Sequence, residues 1–170
     1  EDVVEIFGGK QPSSNVYLIA SKSMLVDLGN KENSIYIIKE LEKYSVNSDG
    51  IKTVVFTHLH YDHVGNPVLF KNAEFYVSRE EITSLAICSG FKQFANLLKG
   101  INLKELKNSI GNLKVIKTPG HSPGSICLWK HDDKILFTGD TLFKTGAIGR
   151  TDLPGSNPKK MQISLMKLLK

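Results

Sequence analysis

Apolar residues along this chain come in short bursts, and the spacing inside each burst predicts an element. Residues 3–7 predict a strand that breaks at Gly8-Gly9. Residues 15–20 and 24–28 are two runs joined by Ser21-Lys22-Ser23, the pattern of a hairpin. Asn33 can cap a helix whose apolar positions Ile37, Ile38, Leu41 and Tyr44 recur at helical spacing. Residues 51–57 follow, with Val54-Val55-Phe56 apolar and unalternating, as in a strand covered on both faces. Residues 74–77 predict another strand. Ser78-Arg79-Glu80-Glu81 then has the Ser-x-x-Glu form of a capping box that opens a helix. Residues 91–107 are helical in pattern, interrupted at Gly100.

Beyond Gly111-Asn112 the pattern turns to strands at 113–118, 125–130 and 135–138, the last two joined by the polar turn His131-Asp132-Asp133-Lys134. A long, glycine-bearing loop over 139–157 follows, and loops of this length in a compact domain are usually functional or disordered. Asn157-Pro158 opens a last helix, with a capping residue followed by proline at the first helical position. The picture is of strands and helices mixed, with chemistry-capable residues at strand ends. A length of 170 residues predicts one domain, 1–170, with enough chain to bury a core.

Composition changes this picture little. Apolar residues make up 41% and charged residues 23%, ordinary globular values that exclude a disordered or fibrous chain. No apolar run approaches a membrane span of about 20 residues. The net charge of +5 comes from lysines scattered singly, with Arg79 and Arg150 the only arginines. Nucleic-acid binding needs basic residues gathered on one face, so the charge predicts a solvated surface with a mild pull on anionic substrates. The two cysteines, Cys88 and Cys127, show no Cys-x-x-Cys spacing and are expected to be small core residues in a reduced, cytoplasmic protein. Glu1-Asp2-Val3-Val4 shows no basic stretch followed by an apolar region, so no secretory signal is expected in these residues.

The chemistry lies in the histidines. Three of the five fall within Thr57-His58-Leu59-His60-Tyr61-Asp62-His63, at the end of the apolar run 54–56. In extended backbone, residues two apart point the same way, so His58 and His60 can converge on one cation. Asp62 and His63 come as the chain turns and can aim at a neighbouring position. Imidazole with carboxylate suits zinc, iron or manganese, and the scarcity of thiols argues against a closed structural zinc site. His121, in a turn-rich link, and Asp140, after an apolar run, are weak signals alone. His131 is expected to be exposed and inert.

Together these residues resemble the metallo-β-lactamase-fold superfamily, whose pattern is His-x-His-x-Asp-His, then a lone His, then an Asp. Val26-Asp27-Leu28-Gly29 and Gly149-Arg150-Thr151-Asp152-Leu153-Pro154-Gly155 extend the likeness, which is closest to small glyoxalase II-like hydrolases. The resemblance implies an α/β fold, an αββα four-layer sandwich with metals at one edge. It implies that His58, His60 and His121 hold one metal, and that Asp62, His63 and Asp140 serve a second, with Asp140 bridging. In the family a further histidine completes the second site; the expectation is that this ligand lies beyond Lys170, the alternative being a second metal held by three residues and water. The implied cofactor is zinc, two ions per chain, with iron or manganese as alternatives. The implied activity is hydrolysis of an anionic small-molecule thioester by a metal-activated hydroxide, with Asp62 as the catalytic carboxylate. Asp27 is expected to orient a ligand histidine, Arg150 and Asp152 to pin the active-site loop, and Lys144 to meet an anionic substrate. Two other readings share the pattern. A mononuclear iron persulfide dioxygenase would use His58, His121 and Asp140, but Leu153-Pro154 stands where an aromatic residue is expected. A metallo-nuclease would need RNA-binding arms for which the chain has no room.

Overall fold

The computed structural model describes residues 2–6, 13–87 and 92–169. These form two compact units, one of Glu1–Val77 with Gln93–Lys104 and one of Ser78–Lys92 with Glu105–Lys170.

The first unit is built on a six-stranded sheet, ordered β1 (Val3–Ile6), β2 (Val16–Ile19), β3 (Met24–Val26), β4 (Thr53–Val55), β5 (Glu74–Val77) and β6 (Leu103–Glu105). β1, β2 and β3 pair antiparallel, and β3, β4 and β5 pair parallel. The parallel centre explains the unalternating sequence of β3 and β4: Leu25, Val26, Val54 and Val55 are all at most 1% exposed. The β2–β3 hairpin turns through a 3₁₀ segment, Ala20–Lys22, and the left-handed Ser23.

Helix α1 (Ser34–Glu42) buries Ile37 and Leu41, while Tyr44 lies beyond its end and is exposed. Its cap differs from expectation. Asn33 makes no side-chain cap, whereas Asn30, in extended backbone, accepts the Asn33 N–H and starts a 3₁₀ turn that runs into α1. The segment predicted as a helix over 91–107 is mostly not one. Only α4 (Lys92–Ala95) is helical; the chain then passes the left-handed Gly100 and joins the sheet as β6. Strand pairing at an open edge outweighs local helical spacing here.

The short helix α2 (Tyr61–Val64) follows β4. It ends at Gly65, whose φ of 60° is left-handed and where a Cβ would lie 2.5 Å from the Leu28 carbonyl oxygen. The Leu28 N–H bonds the His63 carbonyl, which ties α2 to the exit of β3.

The second unit carries a four-stranded antiparallel sheet, ordered β10 (Ile135–Phe137), β9 (Ile126–Lys130), β8 (Leu113–Lys117) and β7 (Ser109–Ile110). β7 and β8 are joined by Gly111-Asn112, a two-residue hairpin turn with Gly111 at φ 55°. Helix α3 (Arg79–Ile87) opens after Ser78, and helix α5 (Pro158–Leu168) opens as expected, with the Asn157 side chain accepting the Lys160 N–H. Cys127 is buried within β9, where burial pushes its thiol pKa up, as befits an inert core residue. Cys88 and Phe7 lie outside the described residues. No helix among the described residues is long and apolar enough to cross a membrane.

Candidate metal centre

In the first unit the chain leaves β4 and turns immediately, so Thr57 to His63 fold back on themselves. His58, His60 and His63 are 1%, 7% and 2% exposed. The His58 ring lies 4.7 Å from that of His60 and 4.0 Å from that of His63, centroid to centroid. His60 packs on Phe94 at 5.5 Å. The Asp62 carboxylate is 24% exposed and sits 4.0 Å from His63 Nε2.

Asp27 organises this cluster from the end of β3. Its backbone is left-handed at φ 57°, a conformation aspartate tolerates better than most side chains. Its Oδ1 accepts the Thr57 N–H at 2.8 Å, and its Oδ2 accepts the Thr57 hydroxyl and the His63 Nδ1–H, each at 2.8 Å. A carboxylate only accepts, so His63 is fixed with its proton on Nδ1. The Thr57 hydroxyl spends its single proton on Asp27 and so accepts from His58 Nδ1–H at 3.2 Å. Both imidazoles therefore turn their basic Nε2 edges away from these protein partners. Locking Nδ1 in this way is how metal-binding histidines are oriented. Asp27 thus contacts His63 directly and His58 through Thr57; Thr57, part of the motif, had drawn no role from sequence. Its position before His58 was the available signal.

In the second unit His121, 3% exposed, sits in the turn after β8, and its Nε2 is 3.3 Å from Asp140 Oδ2. Asp140 follows β10, where Thr141 N–H bonds the Thr138 carbonyl and Thr138 Oγ1 donates to the Leu142 carbonyl. His121 Nδ1–H donates to the Arg150 carbonyl oxygen at 2.8 Å, which again leaves Nε2 as the basic nitrogen. Gly149 lies against both residues. A Cβ there would fall 1.9 Å from the Asp140 carbonyl oxygen and 3.0 Å from His121 Nδ1.

Each unit thus gathers its own predicted ligands: His58, His60, Asp62 and His63 in one, His121 and Asp140 in the other. Arg150 and Asp152 form the pair expected of them, and it lies at the surface. The Arg150 side chain points to solvent and forms a two-pronged pair with Asp152, both about two-thirds exposed. This pair draws the Asp152 carboxyl below its ordinary range and raises Arg150 further. The orienting group is the Arg150 backbone carbonyl, which no side-chain pattern can reveal. Lys144 and His131 are exposed.

Residues 9–170 match the family model described as the Metallo-beta-lactamase superfamily. The probable metallo-hydrolase MJ0888 of Methanocaldococcus jannaschii is 31% identical over 166 residues, covering 90% of this chain and 78% of that protein. The hydroxyacylglutathione hydrolase GloC of Haemophilus influenzae is 27% identical, with 90% and 76% covered. Among solved structures, the BLEG-1 B3 metallo-beta-lactamase superposes with a TM-score of 0.72 at 26% identity, covering 96% of this chain and 83% of that one. In two other relatives the matched region spans 60% and 44% of their length.

Proposed function

Because the chain belongs to the metallo-beta-lactamase superfamily, with the α/β fold of that family, we propose that it is a metal-dependent hydrolase cleaving an anionic thioester, as its hydroxyacylglutathione hydrolase relatives are named for. The family implies a divalent metal, and the donors present fit one. Buried imidazoles with Nδ1 held by Asp27, Thr57 or the Arg150 carbonyl offer Nε2, beside the carboxylates of Asp62 and Asp140 and with no thiolate among them. This set of oriented nitrogens is the observation that carries the reading.

In this proposal His58, His60 and His121 hold one cation, Asp62, His63 and Asp140 the other, and Asp140 serves both. We assign zinc, two ions per chain. Such ions, when bound, lower the pKa of a water molecule to near 7 and polarise a carbonyl oxygen. The protein's own part is positional. Asp62, the most exposed of the cluster, accepts a hydrogen bond from the attacking water and aims its lone pair at the thioester carbonyl carbon. Asp27 and Thr57 keep His63 and His58 from rotating as that charge develops. As the water oxygen bonds to that carbon, the water proton passes through Asp62 to solvent. The carbon–sulfur bond breaks, and the sulfur departs as thiolate, whose conjugate acid has a pKa of about 8.5, so no strong proton donor is needed. A free thiol product and an unpaired Cys127 suit a cytoplasmic setting.

The test is elemental analysis of the purified protein with a panel of acyl-glutathione and related thioesters. About two zinc per chain with thioester hydrolysis is expected. His60→Ala should remove that hydrolysis by several orders of magnitude while far-ultraviolet circular dichroism stays unchanged. A protein that purifies without metal overturns the proposal. So does one iron per chain with oxygen uptake on a persulfide, or cleavage of a phosphodiester in place of thioesters.

A further inference from the structure

Glu81 is 0% exposed, while at the start of α3 Arg79 is exposed and Glu80 and Ile82 are half-buried. Sequence assigned it to a capping box, in which its side chain would reach back to Ser78. The structure keeps half of that arrangement. The Glu81 N–H donates to Ser78 Oγ at 3.4 Å, but the Glu81 side chain turns away from the helix. Its Oε1 accepts the Ser122 hydroxyl at 2.6 Å and the Gly124 N–H at 2.8 Å. Ser78 Oγ in turn donates to the Gly124 carbonyl at 2.6 Å. The first turn of α3 therefore grips both backbone groups of Gly124 and the hydroxyl of Ser122.

The grip is tight and buried. A Cβ at Gly124 would lie 2.3 Å from Ser78 Oγ and 2.6 Å from the Glu81 nitrogen. Ser122 has given its hydroxyl proton to Glu81, so the Ser125 hydroxyl donates to Ser122 Oγ at 2.7 Å, and Ser125 Oγ accepts the Ser122 N–H at 3.1 Å. A buried carboxyl group is costly unless bonded, and both bonds that Oε1 accepts come from the turn that carries His121.

We propose that Glu81 is a positioning residue for the metal centre. Acting through Ser122 and Gly124, it fixes the backbone of the 121–125 turn so that His121 Nδ1–H meets the Arg150 carbonyl and Nε2 faces Asp140. This rests on the reading of His121 and Asp140 as ligands. Glu81 touches neither metal nor substrate.

The test compares Glu81→Ala and Glu81→Gln with the wild-type chain in two measurements that need no thioester. One is zinc affinity by competition with a chromogenic chelator. The other is the His121 tautomer, read from long-range ¹⁵N–¹H spectra of the metal-free, histidine-labelled protein. Glu81→Ala should weaken zinc binding at least about tenfold and mix the His121 tautomers, with the fold retained. Glu81→Gln keeps the accepting oxygen and should stay within about threefold of wild type. A folded Glu81→Ala that binds zinc as wild type and keeps one His121 tautomer overturns the proposal. Equal damage from Glu81→Gln also overturns it, because charge and not hydrogen bonding would then be at work. Should Glu81→Ala not fold, Ser122→Ala decides in its place, and unchanged zinc affinity there is a negative result. If the wild-type protein binds zinc but cleaves no thioester, the hydrolase reading fails while these measurements still judge Glu81.

Discussion

In the proposed function, the histidine cluster of the first unit and the His121–Asp140 pair of the second supply donors by different means. In the cluster, the donors come from six consecutive residues and are oriented by side chains: Asp27 takes Thr57 and His63, and Thr57 takes His58. In the pair, the donors come from two separate loops and are oriented largely by backbone: the Arg150 carbonyl holds His121, and Gly149 lets the chain pass against Asp140. One arrangement is written in residue types. The other is written in the path of the chain, so it tolerates changes of side chain and fails when the path is blocked.

The sharpest break in the comparison is therefore Gly149→Ala. The new Cβ would overlap the Asp140 carbonyl oxygen, a backbone atom that cannot rotate away, and would crowd His121 Nδ1. Zinc affinity should fall about 100-fold in chelator competition, and thermal unfolding should show a loss of roughly 1–3 kcal/mol from overpacking. Wild-type zinc affinity in this variant would mean that the loop path does not set the ligands.

Next in size is Asp27→Asn, which tests side-chain orientation in the cluster. Asparagine keeps the shape and tolerates the left-handed backbone, and its oxygen still accepts the Thr57 N–H. Its amide group, however, then faces two donors, the Thr57 hydroxyl and His63 Nδ1–H, where the carboxylate accepted both. His63 must move its proton to the nitrogen meant for a ligand. Zinc affinity should drop about 10- to 100-fold, with a stability loss of about 1–3 kcal/mol from the unsatisfied buried group. An Asp27→Asn protein with intact zinc affinity would remove side-chain orientation from the account.

The same contrast explains what sequence revealed. The cluster was legible because its spacing is local: residues two apart at the end of an apolar strand share a face, whatever the rest of the chain does. His121 and Asp140 carried weight only through resemblance, since a turn histidine or a turn aspartate has many uses. Arg150 and Asp152 drew notice for their side chains, while the contact that orients His121 is a carbonyl every residue possesses. Glu81 was read locally, as a partner of Ser78, because the bonds it makes reach across 41 and 43 positions of chain. The helix expected over 91–107 failed for a related reason: Leu97, Leu98 and Ile101 have helical spacing, yet the chain turns at Gly100 and β6 is recruited by a distant sheet edge. Non-local pairing decides such segments, and a single sequence does not display it.

The smallest expected effect isolates backbone from side chain at one residue. Arg150→Ala removes the exposed guanidinium and its pair with Asp152 but leaves the carbonyl that receives His121 Nδ1–H. Zinc affinity and turnover should change less than about fivefold, as for other exposed ion pairs. The pH dependence fixes the sign of what remains. Arg150 holds the Asp152 carboxyl below its ordinary range, so the pair contributes above the normal carboxylate pKa and loses that contribution as pH falls through the lowered value. Any gap between the melting temperatures of wild type and Arg150→Ala should thus be present at neutral pH, shrink with added salt, and close in acid. A large loss of zinc affinity in Arg150→Ala would instead show that the side chain, and not the carbonyl, holds His121 in place.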